Sequence, residues 1–278
     1  MDADMWTHSA TRHNLNCLQA AGNRLIPVEA GELASGLEGE GRMAQPEAIH
    51  RLVTEHFSSH TGFAGKKVLI SAGPTFEPLD PVRFIGNRSS GKMGLALARE
   101  MARRSAAVVL VAGPGVQAPA GQAIDCIPVS TAAEMYKTCV EQFPSADLAI
   151  MAAAVADYSP VHVAPQKIKK KEGRLLIELE KTKDILKELG RMKTGQQFLV
   201  GFALETNNEE AFAKEKLLAK NADLMVLNSL NDAGAGFGYD SNQVTIFDRD
   251  GRKTTYSLKS KEAVAADIID YIHDKINQ

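Results

Sequence analysis

Residues 86–93 read GNRSSGKM, a Gly-x-x-x-x-Gly-Lys pattern that ends in Met93. Only the closing Ser or Thr of a phosphate-binding P-loop is missing. That hydroxyl matters because it holds magnesium, and a thioether is a poor ligand for a hard cation. A P-loop also follows its strand directly, whereas the apolar run upstream ends near Ala72, well before Gly86. The stretch is therefore not a P-loop. Its residues still suit an anion. Ser89, Ser90 and Gly91 stand where a helix should begin, with Ser89 or Ser90 as N-cap. Free N–H groups and the helix dipole favour negative charge there. A plain capped helix start is the simpler reading of the same residues.

Other residues invite similar weighing. Asp157 closes the run AAAVADY and could accept from ribose hydroxyls, help hold magnesium, or merely cap a turn. Phe202 follows Gly201 and could pack on a nucleotide or fill a core. Lys216 and Lys220 are four apart and share one helix face. The stretch QKIKKKEG, with Lys167, Lys169, Lys170 and Lys171, reads by composition as a solvated basic face. A Gly-x-Gly-x-x-Gly dinucleotide fingerprint is absent, since SAGPTFEP carries one glycine. Tyr271 and Lys275 have reductase-like spacing, but they fall in the last helix and read as surface residues. Cys17, Cys126 and Cys139 form no Cys-x-x-Cys pair, which predicts reduced thiols and no structural zinc.

The elements that must position these residues begin at residue 66. KKVLISAG, AAVVLVAGP, ADLAIMAAAVADY, QQFLVGFALET and DLMVLN read as buried strands. GKMGLALAREMARR, STAAEMYKTCVEQF, KTKDILKELGRMK and NNEEAFAKEKLLAKNA read as helices, the second opened by a Thr131/Glu134 capping box. PTFEPLDPVRFIGNRSS reads as a long loop. QVTIFDRDGRKTTYSL reads as a hairpin turning at Asp250–Gly251, followed by a closing amphipathic helix. The predicted fold is α/β: a Rossmann-like, mainly parallel sheet with helices on both faces plus a β-hairpin. Ligands of such sheets bind beyond the carboxyl ends of the strands.

Composition narrows the function classes. The 278 residues are 44% hydrophobic, enough for one large domain with an appendage. A net charge of −2, from 32 basic and 34 acidic residues, argues against a general nucleic-acid binder. No apolar run is long enough for a membrane span, and the polar start MDADMWTHSATRHN is not a secretory signal. The expectation is a cytoplasmic protein that engages neither nucleic acid nor membrane.

SAGPTFEPLDPVRFIGNRSSGKMG, AAAVADYSP, KIKK, GFALETNN and KNADLMVLN occur in this order from residue 66 to about 275. As an ordered set they resemble the bacterial phosphopantothenoylcysteine synthetases, the phosphopantothenate–cysteine ligases. That resemblance implies coenzyme A biosynthesis. 4′-Phosphopantothenate would attack CTP to give an acyl-cytidylate and pyrophosphate, and L-cysteine would then displace CMP. The carboxylate is itself the nucleophile, so no Ser-His-Asp set is required. By resemblance, Asn87 handles the acyl-cytidylate and Lys167 clamps the triphosphate. Met151, Ala152, Ala153, Asp157, Lys181, Thr182, Lys183, Asp184, Phe202, Lys216 and Lys220 contact the nucleotide. Ser89, Ser90 and Gly91 hold the substrate phosphate. Lys183 replaces the proline usual in the Lys-x-Pro-Asp turn, which predicts a looser turn. The resemblance further implies Mg2+, CTP as co-substrate and a homodimer. The metal ligands and the preference of CTP over ATP are not legible in the residues.

Residues 1–60 resemble the tail of the flavin-dependent decarboxylase that commonly precedes this ligase in bacteria, and residues 61–278 form the ligase domain. MDADMW matches the decarboxylase substrate phrase, with Asp2 where Asn is usual. GELASGLEGEGRM matches its substrate flap, with Ser35 where the catalytic Cys stands. The expectation is a remnant or truncation without flavin and without decarboxylase activity, too small to fold unaided. The competing readings are a nicotinamide-dependent reductase, disfavoured by the missing glycine fingerprint, and a non-catalytic remnant.

Overall fold

A computed structural model describes residues 1–58, 62–118, 123–170, 174–205, 209–229 and 239–277. The chain divides into two compact units, Met1–His60 and Thr61–Gln278. In the first, helices α1 (Ala3–Thr7) and α2 (Ser9–Ala20) precede an antiparallel hairpin, β1 (Glu29–Glu32) with β2 (Glu38–Arg42), and then α3 (Pro46–Ser58). Trp6, Leu33 and Ala44 are its buried apolar residues among those described.

The second unit contains strands β3 (Lys67–Ala72), β4 (Phe76–Pro78) and β5 (Phe84–Gly86), then helix α4 (Lys92–Arg103) and strands β6 (Ala107–Ala112) and β7 (Ile124–Pro128). Next come α5 (Ala132–Gln142), β8 (Leu148–Met151), β9 (Tyr158–Pro160), β10 (Leu179–Lys181) and α6 (Ile185–Met192). The unit ends with β11 (Phe198–Glu205), α7 (Glu209–Ala219), β12 (Leu224–Ser229), β13 (Ser241–Asp248), β14 (Lys253–Ser260) and α8 (Lys261–Ile276).

The main sheet runs β14-β13-β12-β11-β8-β3-β6-β7. From β12 to β7 the strands are parallel, and the β13–β14 hairpin adds antiparallel strands at one edge. Both faces are buried. Val68, Ile70 and Leu110 pack beneath α4 and α8, while Leu69, Val109 and Leu199 pack on the opposite side with Met135 and Leu189. Alternate residues of one apolar strand thus serve two cores, which is why the strands read as unbroken apolar runs. The predicted fold class is the observed one.

Strand β3 has β6 on one side and β8 on the other. The chain therefore leaves β3 in one direction and returns across it, making a switch point with a crevice at the carboxyl ends of β3 and β8. Three glycines let the turns close there. A Cβ on Gly113 would stand 2.0 Å from the Pro74 carbonyl oxygen, and one on Gly91 would stand 3.1 Å from the Gly73 Cα.

Several local expectations need correction. The run ADLAIMAAAVADY, read as one strand, forms β8 only from Leu148 to Met151. Beyond it the chain leaves β11 and lies on the loop after β3: the Ala152 N–H donates to the Ser71 carbonyl at 3.2 Å and the Ala154 N–H to the Gly73 carbonyl at 2.9 Å. The stretch read as a long loop contains the β4–β5 ladder, where Phe76 stacks on Phe84 with centroids 3.8 Å apart. Edge strand β7 was not legible either, because half-exposed IDCIP lacks an apolar run. Tyr271 and Lys275 are not surface residues. The Tyr271 hydroxyl donates to the Asp248 carboxylate at 2.8 Å and Lys275 pairs with it at 2.6 Å, tying α8 to the hairpin. The Thr131/Glu134 capping box is present. Lys171, expected on a solvated basic face, and residues 206–208 of GFALETNN lie outside the described residues.

Candidate active site

At the carboxyl ends of β3, β8, β11 and β12 lies a cleft of two adjoining lobes. The larger, of about 740 Å³, is lined by Met151, Ala153, Asp157, Phe202, the 181–184 turn, Lys216 and Lys220. The smaller, of about 340 Å³, is lined by Asn87, Ser89, Ser90, Gly91, Lys92, Ala152, Asn228, Asn242 and Lys261. Ala153, Val155, Asp157 and Phe202 border both.

The larger lobe is cationic. Its wall is the turn between β10 and α6. The Thr182 N–H donates to the Asp157 carbonyl at 3.0 Å, and the Thr182 hydroxyl donates to the Ala156 carbonyl at 2.6 Å. Asp184 is the N-cap of α6, accepting from the Lys187 N–H at 2.9 Å. Lys220, near the end of α7, pairs with the same Asp184 carboxylate. Burial lowers the pKa of Lys220, against the raising effect of Asp157. The substitution of Lys183 for proline does not leave the turn untethered. Thr182 anchors it through two hydrogen bonds, and the Lys183 ammonium sits 4.9 Å from the Tyr136 ring centroid.

The smaller lobe is built on backbone. Helix α4 opens at Gly91, whose φ of 70° is left-handed, and no side chain caps it. This corrects the expected Ser89 or Ser90 cap: Ser89 instead accepts from the Gly91 N–H at 3.3 Å, ahead of the first turn. The first turn carries no acidic residue, so its free N–H groups meet an anion without competition. Asn87 lines this lobe beside the helix start. Its Nδ2 donates to the Ala154 and Val155 carbonyls at 3.1 and 3.0 Å, leaving Oδ1 to offer a substrate.

Residues 63–276 match the family model described as DNA/pantothenate metabolism flavoprotein C-terminal domain. The chain belongs to this family. It is 44% identical over 275 residues to the coenzyme A biosynthesis bifunctional protein CoaBC of Bacillus subtilis (strain 168), covering 98% of this chain and 67% of that protein. Identity to the CoaBC of Haemophilus influenzae (strain ATCC 51907 / DSM 11121 / KW20 / Rd) is 42% over 275 residues, covering 99% and 68% of the two chains. A protein named Cysteine/Cysteine sulfinic acid decarboxylase, from an unknown prokaryotic organism, is 51% identical over 273 residues, covering 97% and 76%. The crystal structure of a CoaBC C-terminal domain superposes with a TM-score of 0.67 at 39% identity, covering 78% of this chain and 98% of that one. A Cab2 variant in complex with phosphopantothenate-cysteine shares the fold, with a TM-score of 0.62 at 19% identity, covering 84% and 96%. These matches and the ordered phrases of the sequence point to the same family.

Within this family member, Lys167 is the expected residue that lines neither lobe. It is exposed, and its neighbour Ile168 is held at a different anchor. The Ile168 N–H donates to the buried Asp80 carboxylate at 3.0 Å, and Arg83 donates to the Ile168 carbonyl at 3.1 Å. Burial opposes the Asp80 charge, but the Ile168, Val82 and Arg83 N–H groups and the Arg83 guanidinium together hold its carboxyl below the ordinary 3.8. Lys92, Asn228, Asn242 and Lys261 had not been expected in the site. Lys92 belongs to the opening motif, but the other three carry no one-dimensional signal and come from β12, β13 and α8.

No cluster of three His, Cys, Asp or Glu is positioned to hold a metal among the described residues. Asp157 fits a magnesium that arrives on phosphate oxygens and needs only one or two protein carboxylates. In the first unit, the two departures from the decarboxylase pattern meet: the Ser35 hydroxyl donates to the Asp2 carboxylate at 2.5 Å. No helix among the described residues is long and apolar enough to cross a membrane.

Proposed function

We propose that this chain is a CTP-dependent phosphopantothenate–cysteine ligase of coenzyme A biosynthesis, acting through an acyl-cytidylate. One observation carries the reading: a cationic lobe and a lobe built on an uncapped helix N-terminus share a border at Ala153, Val155, Asp157 and Phe202. A reaction that joins a nucleoside triphosphate to a phosphorylated acid needs two such anion sites, with the reacting atoms between them. The naming of similar proteins as CoaBC supports this assignment.

In the first step a carboxylate oxygen of 4′-phosphopantothenate forms a bond to the α-phosphorus as pyrophosphate departs. In the second, the cysteine amine attacks the acyl carbon, CMP leaves with the electron pair, and the amine sheds a proton. Catalysis is then positioning and charge neutralisation. Lys216, Lys220 and the 181–184 turn hold the nucleotide against Met151, Ala152, Ala153 and Phe202. Asn87 holds the acyl group, and Ser89, Ser90 and Gly91 take the ester phosphate. Asp157 would supply the protein carboxylate for a magnesium ion, which would neutralise charge on the phosphates. Lys167 closes over the triphosphate from the Asp80-anchored segment. The working form is a cytoplasmic homodimer that engages neither nucleic acid nor membrane. Flavin-dependent decarboxylation is not part of this reading, because position 35 offers a hydroxyl bound to Asp2 and not a thiol. Visible flavin absorbance in the purified chain would contradict that.

The deciding assay is pyrophosphate release with 4′-phosphopantothenate, magnesium and CTP or ATP, with and without cysteine. The expected result is CTP-dependent release that requires the acid and falls roughly a hundredfold or more in Lys167→Ala. Silence with both nucleotides in a folded protein removes the ligase reading.

A further inference from the structure

We propose that Asn221 is a positioning residue for the nucleotide, because it fixes the root of Lys220 by tying the end of α7 to α6; the inference rests on the ligase reading above. Helix α7 ends in two bonds that turn the chain back, from the Asn221 N–H to the Leu218 carbonyl and from the Ala222 N–H to the Leu217 carbonyl, each at 3.1 Å. That pattern needs a left-handed residue, and Asn221 supplies it with a φ of 51°. Glycine serves a plain helix end better, because a positive φ costs it little. Asn221 instead carries a side chain, and both of its polar atoms are engaged. Nδ2 donates at 2.7 Å to the carbonyl of Gly190, in the last turn of α6. Oδ1 accepts from the Arg249 guanidinium, whose Nε donates to the Ala222 carbonyl at 2.7 Å.

The bond to Gly190 forms because the two backbones touch. A Cβ on Gly190 would stand 2.8 Å from the Lys220 carbonyl carbon and 3.2 Å from the Asn221 Cβ. Glycine weakens a helix, so its place inside α6 marks a contact that admits no side chain. Lys220 lies between this contact and the cleft. Its main chain rests on the last turn of α6, and its ammonium pairs with Asp184, the N-cap at the other end of the same helix. One short helix thus sets both ends of a lysine that lines the larger lobe. Asn221 lines neither lobe, so it acts on a bound nucleotide only through Lys220.

The test crosses Asn221→Gly, which keeps the left-handed turn and deletes the carboxamide, with Lys220→Met, in pyrophosphate release from CTP and 4′-phosphopantothenate. Asn221→Gly is expected to raise the CTP KM about fivefold, with the KM for the acid unchanged. Lys220→Met should raise the CTP KM further, and the double variant should equal Lys220→Met alone, since no lysine is left to position. Asn221→Asp, which loses the donor and keeps the shape, should match Asn221→Gly and replaces it if that variant does not fold. An unchanged CTP KM in Asn221→Gly or Lys220→Met, a rise in both KM values, or losses that multiply in the double variant overturn the proposal. Calorimetric titration with CTP alone separates the two readings. Wild-type binding that weakens in Asn221→Gly and no more in the double variant than in Lys220→Met, without turnover in any protein, leaves Asn221 standing and removes the ligase. Turnover with CTP binding that Asn221→Gly does not weaken overturns Asn221 alone. A folded wild type that binds no CTP overturns both.

Discussion

On the α6–α7 side of the cleft the positive charge sits on flexible side chains, Lys216 and Lys220, and on a turn fastened by Thr182. On the α4 side the donors are backbone N–H groups, brought within reach because glycines at 73, 91 and 113 let loops touch without side chains between them. The first wall can absorb a side-chain change by rearranging neighbouring rotamers. The second cannot, because its geometry is the path of the main chain. One cleft thus holds a site tuned by side chains beside a site fixed by the fold.

Gly91→Ala should break the backbone-built lobe most severely. The new Cβ would stand 2.2 Å from Val116 Cγ2 and 3.1 Å from the Gly73 Cα, at a φ of +70°. Backbone strain alone costs about 1–3 kcal/mol. Thermal melts should show a destabilised protein, and turnover of 4′-phosphopantothenate should fall roughly a hundredfold. Retained turnover would remove the contrast between the lobes. Thr182→Val should act on the other lobe and more mildly. It deletes the 2.6 Å bond to the Ala156 carbonyl, a loss of about 1–2 kcal/mol. The CTP KM should rise roughly tenfold while the KM for the phosphorylated acid stays put. A rise in both would mean that the lobes are not separable.

The smallest effect concerns the anchor between Asp80 and Ile168. A carboxyl held below its ordinary pKa stabilises the fold fully above the unfolded value and loses that contribution as pH falls through the lower folded value. Asp80→Asn should therefore melt below wild type by a constant margin from neutrality down to about the ordinary 3.8. The margin should shrink only in stronger acid. A margin that vanished between pH 7 and 5 would show that the carboxylate is not held as described.

How legible the molecule was follows from what each signal depends on. Strands such as Lys67–Ala72 and helices such as Ala132–Gln142 announce themselves through period, run length and caps, all local properties. The family phrases marked Asn87, Asp157 and Phe202 because those residues sit within ordered, distinctive stretches. The run AAAVADY misled because three small apolar residues satisfy a strand pattern whether or not a neighbour strand is there to pair with. Tyr271 and Lys275 misled because their partner, Asp248, is distant in sequence and adjacent only once α8 lies on the hairpin.

By itself the sequence determined the α/β class, most of the helices and strands, and the family. Apolar periodicity, caps and ordered phrases are written along the chain. Only the tertiary structure decided that Gly91, not a serine, opens α4, because the left-handed turn depends on loops meeting at Gly73 and Val116. It alone brought Lys261, Asn228 and Asn242 from three distant elements into the smaller lobe. A pocket is a set of neighbours in space, and the order of the parallel strands, not their spacing in the chain, makes these residues neighbours.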